Sequence, residues 1–197
     1  MTLPSITPQP GKVIFVGAGP GNPDLLTIRA RQVMERNSIA LVEPDVLEGV
    51  RNVLAAACAV PQEKIDAAEA QYEAMCAEVE EVPLGTDDIV ARLRSALQAA
   101  AEVIRKGDDG DGDVIRLVSG NPLTRDAVRE EIAAVAAAGL EFQIVPGMSL
   151  PSTVPSFAGI ALGSTYTEAD LANGPVDWDQ LSQAPQPLVL QAVREQL

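Results

Sequence analysis

Short apolar runs alternate along the chain with segments whose apolar residues return every three or four positions, the periods of strands and helices. Lys12–Val16 predicts a strand. After the turn Gly17-Ala18-Gly19-Pro20-Gly21-Asn22-Pro23, the residues Leu26, Ala30, Val33 and Met34 mark a helix, with Asp24 available as its N-cap. Ser38–Val42 reads as a second strand ending at Glu43-Pro44-Asp45, and Val46–Ala57 as a second helix. Ile89–Ile104 is amphipathic through Ile89, Leu93, Leu97, Ala100 and Ile104. Val114–Val118 is the next strand and Ser119–Pro122 its terminal turn; Thr124–Ala138 follows as a helix stopped by Gly139. Phe142–Val145 predicts another strand, closed by Pro146-Gly147, before a small-residue helix over Ser149–Phe157. Strand–helix–strand succession implies a parallel sheet with right-handed crossovers.

Three stretches break this rhythm. Ala67–Glu81 is acidic and Ala-rich without apolar periodicity, and predicts a solvated or poorly ordered insertion. Gly107–Asp113 alternates Gly and Asp, but Ser119 and Gly120 stand where a calcium loop needs its closing Glu, so a solvated turn is expected. Asp170–Gln183 reads as polar linker, and Pro187–Ala192 as a fresh strand. Residues 1–10 are then an extended, Pro-rich lead-in, 11–162 an N-terminal α/β domain, and 163–197 a linker with the beginning of a second α/β domain.

Composition narrows the chemistry. With 47% hydrophobic residues the chain can bury a core. No apolar run approaches the ~18 residues that cross a bilayer, and Met1–Pro10 lacks the regions of a signal peptide. A cytoplasmic protein without membrane attachment is expected. The net charge of −14 repels phosphate backbones and argues against nucleic acid as a partner. The absence of histidine removes Ser-His and Cys-His nucleophiles and imidazole metal sites. Cys58 and Cys76 match no zinc or redox spacing and read as reduced structural thiols, and no metal site is expected.

Ligands of open parallel sheets bind beyond the carboxyl ends of the strands. Four such ends carry conspicuous residues: Gly17–Asn22, Glu43–Asp45, Ser119–Pro122 and Pro146–Ser149. Small residues there let a ligand touch bare backbone. A dinucleotide site is the obvious rival, with Glu43 on a ribose hydroxyl. Its fingerprint, however, is G-x-G-x-x-G, whereas Gly17, Gly19 and Gly21 give G-x-G-x-G. Pro20 also removes a backbone donor that a pyrophosphate would use.

Val16–Thr27, with its run Gly17-Ala18-Gly19-Pro20-Gly21-Asn22-Pro23, resembles the opening signature of the tetrapyrrole methylases, especially uroporphyrinogen-III C-methyltransferases. Val114–Pro122 resembles their V-V-R-L-x-x-G-D-P segment, and Val145–Ser149 with Pro155–Leu162 their V-P-G-I-T and A-Y-A-G-I-P-L stretch. The resemblance implies an α/β fold: a tetrapyrrole-methylase-like parallel sheet domain with the start of a second α/β domain, and S-adenosylmethionine in the cleft between them. It implies donor contacts at Pro20, Ser119, Gly120, Asn121, Thr124, Ser149, Leu150 and Ala192, and places Glu43 where relatives carry a proton-accepting Asp. The reaction implied is C-methylation of uroporphyrinogen III towards precorrin-2, in the sirohaem and cobalamin branch. A tetrapyrrole is the implied partner. Relatives are dimers, which implies a homodimer, and in some bacteria such domains precede a fused uroporphyrinogen-III synthase.

The sequence departs from the family pattern in places. Asn121 replaces a carboxylate, Leu150 replaces an Ala, and the region of the family's G-K-R segment here reads Ala68-Glu69-Ala70. Arg125, Arg129, Lys64 and Arg116 are the candidates to supply the missing cation, although arginines commonly face solvent. These departures keep open a second reading, a non-catalytic methylase-like binding or scaffold domain. A dinucleotide-binding oxidoreductase is the third.

Overall fold

The computed structural model describes residues 11–58, 78–105, 110–171 and 176–192. The lead-in, Lys64, Glu69, Cys76 and most of the acidic stretch lie outside these residues, as do Gly107, Asp108 and Asp109. Five parallel strands form the main sheet in the order β3-β2-β4-β1-β5: β1 (Val13–Gly17), β2 (Ile39–Val42), β3 (Glu78–Glu81), β4 (Val114–Val118) and β5 (Phe142–Val145). Helices α1 (Ile28–Met34) and α2 (Glu48–Cys58) follow β1 and β2, α3 (Ile89–Arg105) follows β3, α4 (Asp126–Ala137) follows β4, and α5 (Leu150–Phe157) follows β5. A second sheet pairs β6 (Thr167–Asp170) in parallel with β7 (Leu188–Gln191), with the short α6 (Trp178–Ser182) between them in sequence.

Both faces of the central strands are covered, which is why β1 reads as an unbroken apolar run rather than an alternating one, and β4 as a run interrupted only by Arg116. Ile14 and Val16 pack with Ala30, Val33 and Met34 of α1 and Val50 and Leu54 of α2. Val13 and Phe15 face the other way, onto Ile89 and Leu93 of α3 and Val128, Ile132 and Val135 of α4. The neighbouring strands β1 and β4 therefore send their following helices to opposite faces, and a crevice opens at their carboxyl ends.

Four expectations are corrected. Glu78–Glu81 is not part of a solvated insertion: it is the edge strand β3, paired to β2 from Ile39↔Glu78 to Val42↔Glu81. An edge strand leaves one long side unpaired and open to water, where charged residues are common, and Glu80 and Glu81 are exposed. Asp24 does not cap α1; Asn22 caps the preceding 3-10 turn Pro23–Leu25, and the Thr27 hydroxyl accepts from the Ala30 N–H to cap the helix. The polar stretch 170–183 contains α6, capped by Asp177. Arg116 does not face solvent; its side chain is fully buried in β4. It donates from Nε and Nη2 to the two Glu131 oxygens, each at 2.9 Å, and also to the carbonyls of Val82 and Pro83. A buried charge is tolerable only when paired and hydrogen-bonded in this way.

Candidate active site

The crevice floor is backbone. A Cβ on Gly17 would meet the Gly147 nitrogen at 2.4 Å and the Gly120 carbonyl oxygen at 2.6 Å, and one on Gly147 would meet that oxygen at 2.2 Å. The ends of β1, β4 and β5 thus touch without side chains between them. Gly19 and Gly120, both at positive φ, form an antiparallel bridge, each N–H donating to the other's carbonyl at 3.1 and 2.9 Å. This bridge fixes the loops after β1 and β4 against each other.

Above this floor lies a cavity of about 230 Å³ lined by Pro20, Asp45, Leu47, Ser119, Arg125, Leu150, Asp170, Gln191 and Ala192. Each strand but β3 contributes a residue from beyond or at its carboxyl end. The second sheet supplies Asp170, the last residue of β6, and Gln191, the last of β7. Four residues expected from sequence, Pro20, Ser119, Leu150 and Ala192, meet in this one wall although they come from segments far apart in the chain. Gly120 lies beneath Leu150, whose Cδ1 would be 2.6 Å from a Cβ at that glycine.

The other expected residues stand behind or beside the wall. Asn121 precedes the 3-10 turn Pro122–Thr124 and makes no side-chain cap. The Thr124 side chain is exposed and its hydroxyl donates to the Asn121 carbonyl at 2.9 Å. Ser149 begins α5 without capping it, and its Oγ is buried with no hydrogen-bond partner. An orphaned hydroxyl costs desolvation that a bound ligand can recover.

Glu43 is 2% exposed. Its Oε2 accepts from the Ser119 N–H at 2.7 Å and its Oε1 from Arg125 Nη1 at 2.5 Å. Burial pushes its carboxyl up from the ordinary glutamate value; the Ser119 N–H and the Arg125 charge pull the other way without overcoming it. The candidate cation Arg129 pairs with Asp126 on the exposed face of α4. Arg125 is the sole cation in the described wall. Sequence reasoning missed Asp170 because β6 was not recognised as a strand, and passed over Gln191 although Pro187–Ala192 was read as one; the strand-end rule applied to both strands finds both. Among the described residues, no group of three His, Cys, Asp or Glu could hold a metal ion, and no helix is long and apolar enough to cross a membrane.

A parallel sheet whose strand ends converge on a glycine-floored crevice, closed by a second small sheet, defines an α/β ligand-binding protein of the open-sheet class. Residues 12–197 match the family described as Tetrapyrrole (Corrin/Porphyrin) Methylases, and the chain belongs to that family. It is 32% identical to the siroheme synthase of Chromobacterium violaceum over 193 residues, covering 91% of this chain and 35% of that protein. The siroheme synthase of Nitrosococcus oceani is 30% identical, with 93% and 36% covered. The chain thus spans about a third of the length of these curated relatives. Among solved structures, a uroporphyrin-III-C-methyltransferase from Thermus thermophilus superposes with a TM-score of 0.56 at 27% identity, over 82% of this chain and 60% of that one. A uroporphyrin-III C-methyl transferase from the same organism complexed with S-adenyl homocysteine shares the fold, with a TM-score of 0.57 at 23% identity, covering 91% and 69%.

Proposed function

We propose that the chain binds S-adenosylmethionine in the crevice and takes part in C-methylation of uroporphyrinogen III towards precorrin-2, in the branch leading to sirohaem and cobalamin. The observation that carries the reading is the meeting of Pro20, Ser119, Leu150 and Ala192 in one cavity wall. Two further features fit the donor. The floor of Gly17, Gly120 and Gly147 offers backbone that a flat, polar group can approach, and the buried Ser149 hydroxyl lacks a partner. Asp45 and Asp170 place carboxylates in the wall, where they favour a cationic group.

S-adenosylmethionine, when bound, supplies a methyl group on a positively charged sulfonium, already reactive towards an electron-rich carbon. The residues of the chain then have three tasks: holding, excluding water and accepting a proton. Pro20, Ser119, Gly120, Asn121, Thr124, Ser149 and Ala192 would hold the donor, with Leu150 bounding and narrowing the space over Gly120. At about 230 Å³ the cavity is smaller than the ~300–1,000 Å³ of typical ligand sites, so it would hold part of the donor, with the tetrapyrrole outside it. Glu43 is the proposed proton acceptor. Its raised pKa makes it a stronger base than a surface carboxylate, and a carboxylate offers about four lone-pair sites, of which Ser119 and Arg125 engage two. Homodimerisation, a fused uroporphyrinogen-III synthase, a cytoplasmic location and the division at residue 162 belong to the same reading.

A second reading, a methylase-like domain that binds without transfer, is favoured by Leu150, which covers Gly120 where the family pattern has Ala. Calorimetry with S-adenosylmethionine followed by a methyl-transfer assay on uroporphyrinogen III separates the two. Heat with transfer supports catalysis, heat without transfer supports the second reading, and absence of heat removes both.

A further inference from the structure

Three charged residues stand in the cavity wall: Asp45, Asp170 and Arg125. Asp45 and Arg125 stand side by side in it, so this part of the wall joins a cation to an anion rather than presenting one sign. The cation is held rigidly. Arg125 sits at the N-cap position of α4 with its side chain 16% exposed, and its guanidinium is drawn to Glu43, whose side chain is 3% exposed. That contact engages Nη1; Nη2 stands 4.0 Å from Asp45 Oδ2, beyond hydrogen-bond distance. A guanidinium carries five donors in a fixed planar fork, matched to a planar carboxylate. Arg125 therefore meets the cavity with donors still available, oriented by a buried partner.

We propose that Arg125 is a specificity-determining residue that presents its Nη2 edge to a carboxylate of the bound ligand. The inference rests on the proposed function, which offers two sources of that chemistry: the amino-acid tail of S-adenosylmethionine and an acidic side chain of the tetrapyrrole. A single carboxylate suits the site better than a phosphate, because Asp45 lies beside the anchor and repels higher charge. The rival role for Arg125 is purely structural, neutralising Glu43.

The test measures equilibrium binding of three ligands: S-adenosylmethionine, its decarboxylated analogue, and uroporphyrin III. The proteins compared are the wild type and Glu43→Gln/Arg125→Gln, which removes the pair together and leaves no uncompensated buried charge. If the donor's tail is the partner, the wild type prefers S-adenosylmethionine over the decarboxylated form by about 10- to 100-fold, as expected for a charge-assisted bond, and the double variant loses that preference. If the tetrapyrrole is the partner, uroporphyrin affinity falls by a similar factor while the donor preference is unchanged. Equal loss for all three ligands, or no loss, overturns the inference and leaves Arg125 a structural counter-ion. Should the double variant not fold, Arg125→Lys carries the test, since Lys keeps the charge and loses the fork; unchanged ligand preferences then overturn it. A wild type that binds none of the three ligands refutes the proposed function itself, and this inference with it.

Discussion

The backbones of Gly17 and Gly147 are in contact: a Cβ on the first would stand 2.4 Å from the nitrogen of the second. The contact joins the ends of β1 and β5 and forms the floor beneath the cavity. Since the obstructing atoms are backbone, no side-chain rotation can relieve a substitution there.

Gly147→Ala should therefore destabilise the protein by about 3 kcal/mol, at the upper end of what overpacking costs. For a chain of this size that corresponds to a melting temperature lower by roughly 10 °C. Thermal denaturation followed by circular dichroism measures it. A melting temperature within a degree of wild type would mean that the three strand ends are not in contact.

Glu43 makes a pH-dependent contribution whose sign follows from burial. Its folded-state pKa is raised, so the folded protein holds this proton more tightly than the unfolded chain does. The stability it contributes is full below the ordinary glutamate value of 4.5 and is lost as pH rises through the folded value. Glu43→Gln should flatten that part of the curve of unfolding free energy against pH. Urea titrations of both proteins across acid to neutral pH give the comparison, and identical slopes would contradict the raised pKa.

The pair Arg116–Glu131 is buried on both sides, at 0% and 2% side-chain exposure. Glu131→Leu alone leaves an unpaired guanidinium in the core and should cost about 3–5 kcal/mol. Arg116→Met together with Glu131→Leu should recover most of that loss. Chemical denaturation of the two variants decides the matter. A double variant as unstable as the single would show that the hydrogen bonds from Arg116 to Val82 and Pro83, not the ion pair, hold this region.

Ser149→Ala should act with opposite signs on stability and binding. Without ligand, removing an orphaned hydroxyl is neutral or stabilising by about 1 kcal/mol. With S-adenosylmethionine, loss of a ligand hydrogen bond should weaken affinity by about fivefold. A melting curve and a calorimetric titration on the same preparation read both effects, and a variant that is less stable yet binds normally would refute the role.

Leu150→Ala removes the side chain that lies over Gly120. The cavity should widen and S-adenosylmethionine bind several-fold more tightly, because more of the floor becomes accessible. Calorimetry measures this, with weaker binding as the contrary result, since it would make Leu150 a contact rather than an obstruction.

Much of the fold was legible in the sequence because local periods carry it. Val114–Val118 and Phe142–Val145 were read with their observed bounds; each is a mostly apolar segment, broken only by Arg116 or Gln143, between turn residues. The glycine- and proline-bearing strand ends were readable for the same reason, and so was the family. Edge strand β3 escaped because a sheet edge needs no apolar run, and β6 because Thr167–Asp170 carries no apolar alternation. Tertiary structure alone decided which partners the charged groups found. Nothing in the spacing of Glu43 and Arg125, or of Arg116 and Glu131, marks them as pairs, since each pair is made by strands and helices packing across the sheet. The same holds for the cavity: Pro20 and Ala192 share a wall because two sheets meet there. Hydrophobic periodicity is a property of neighbours in sequence, whereas desolvation and charge pairing depend on neighbours in space.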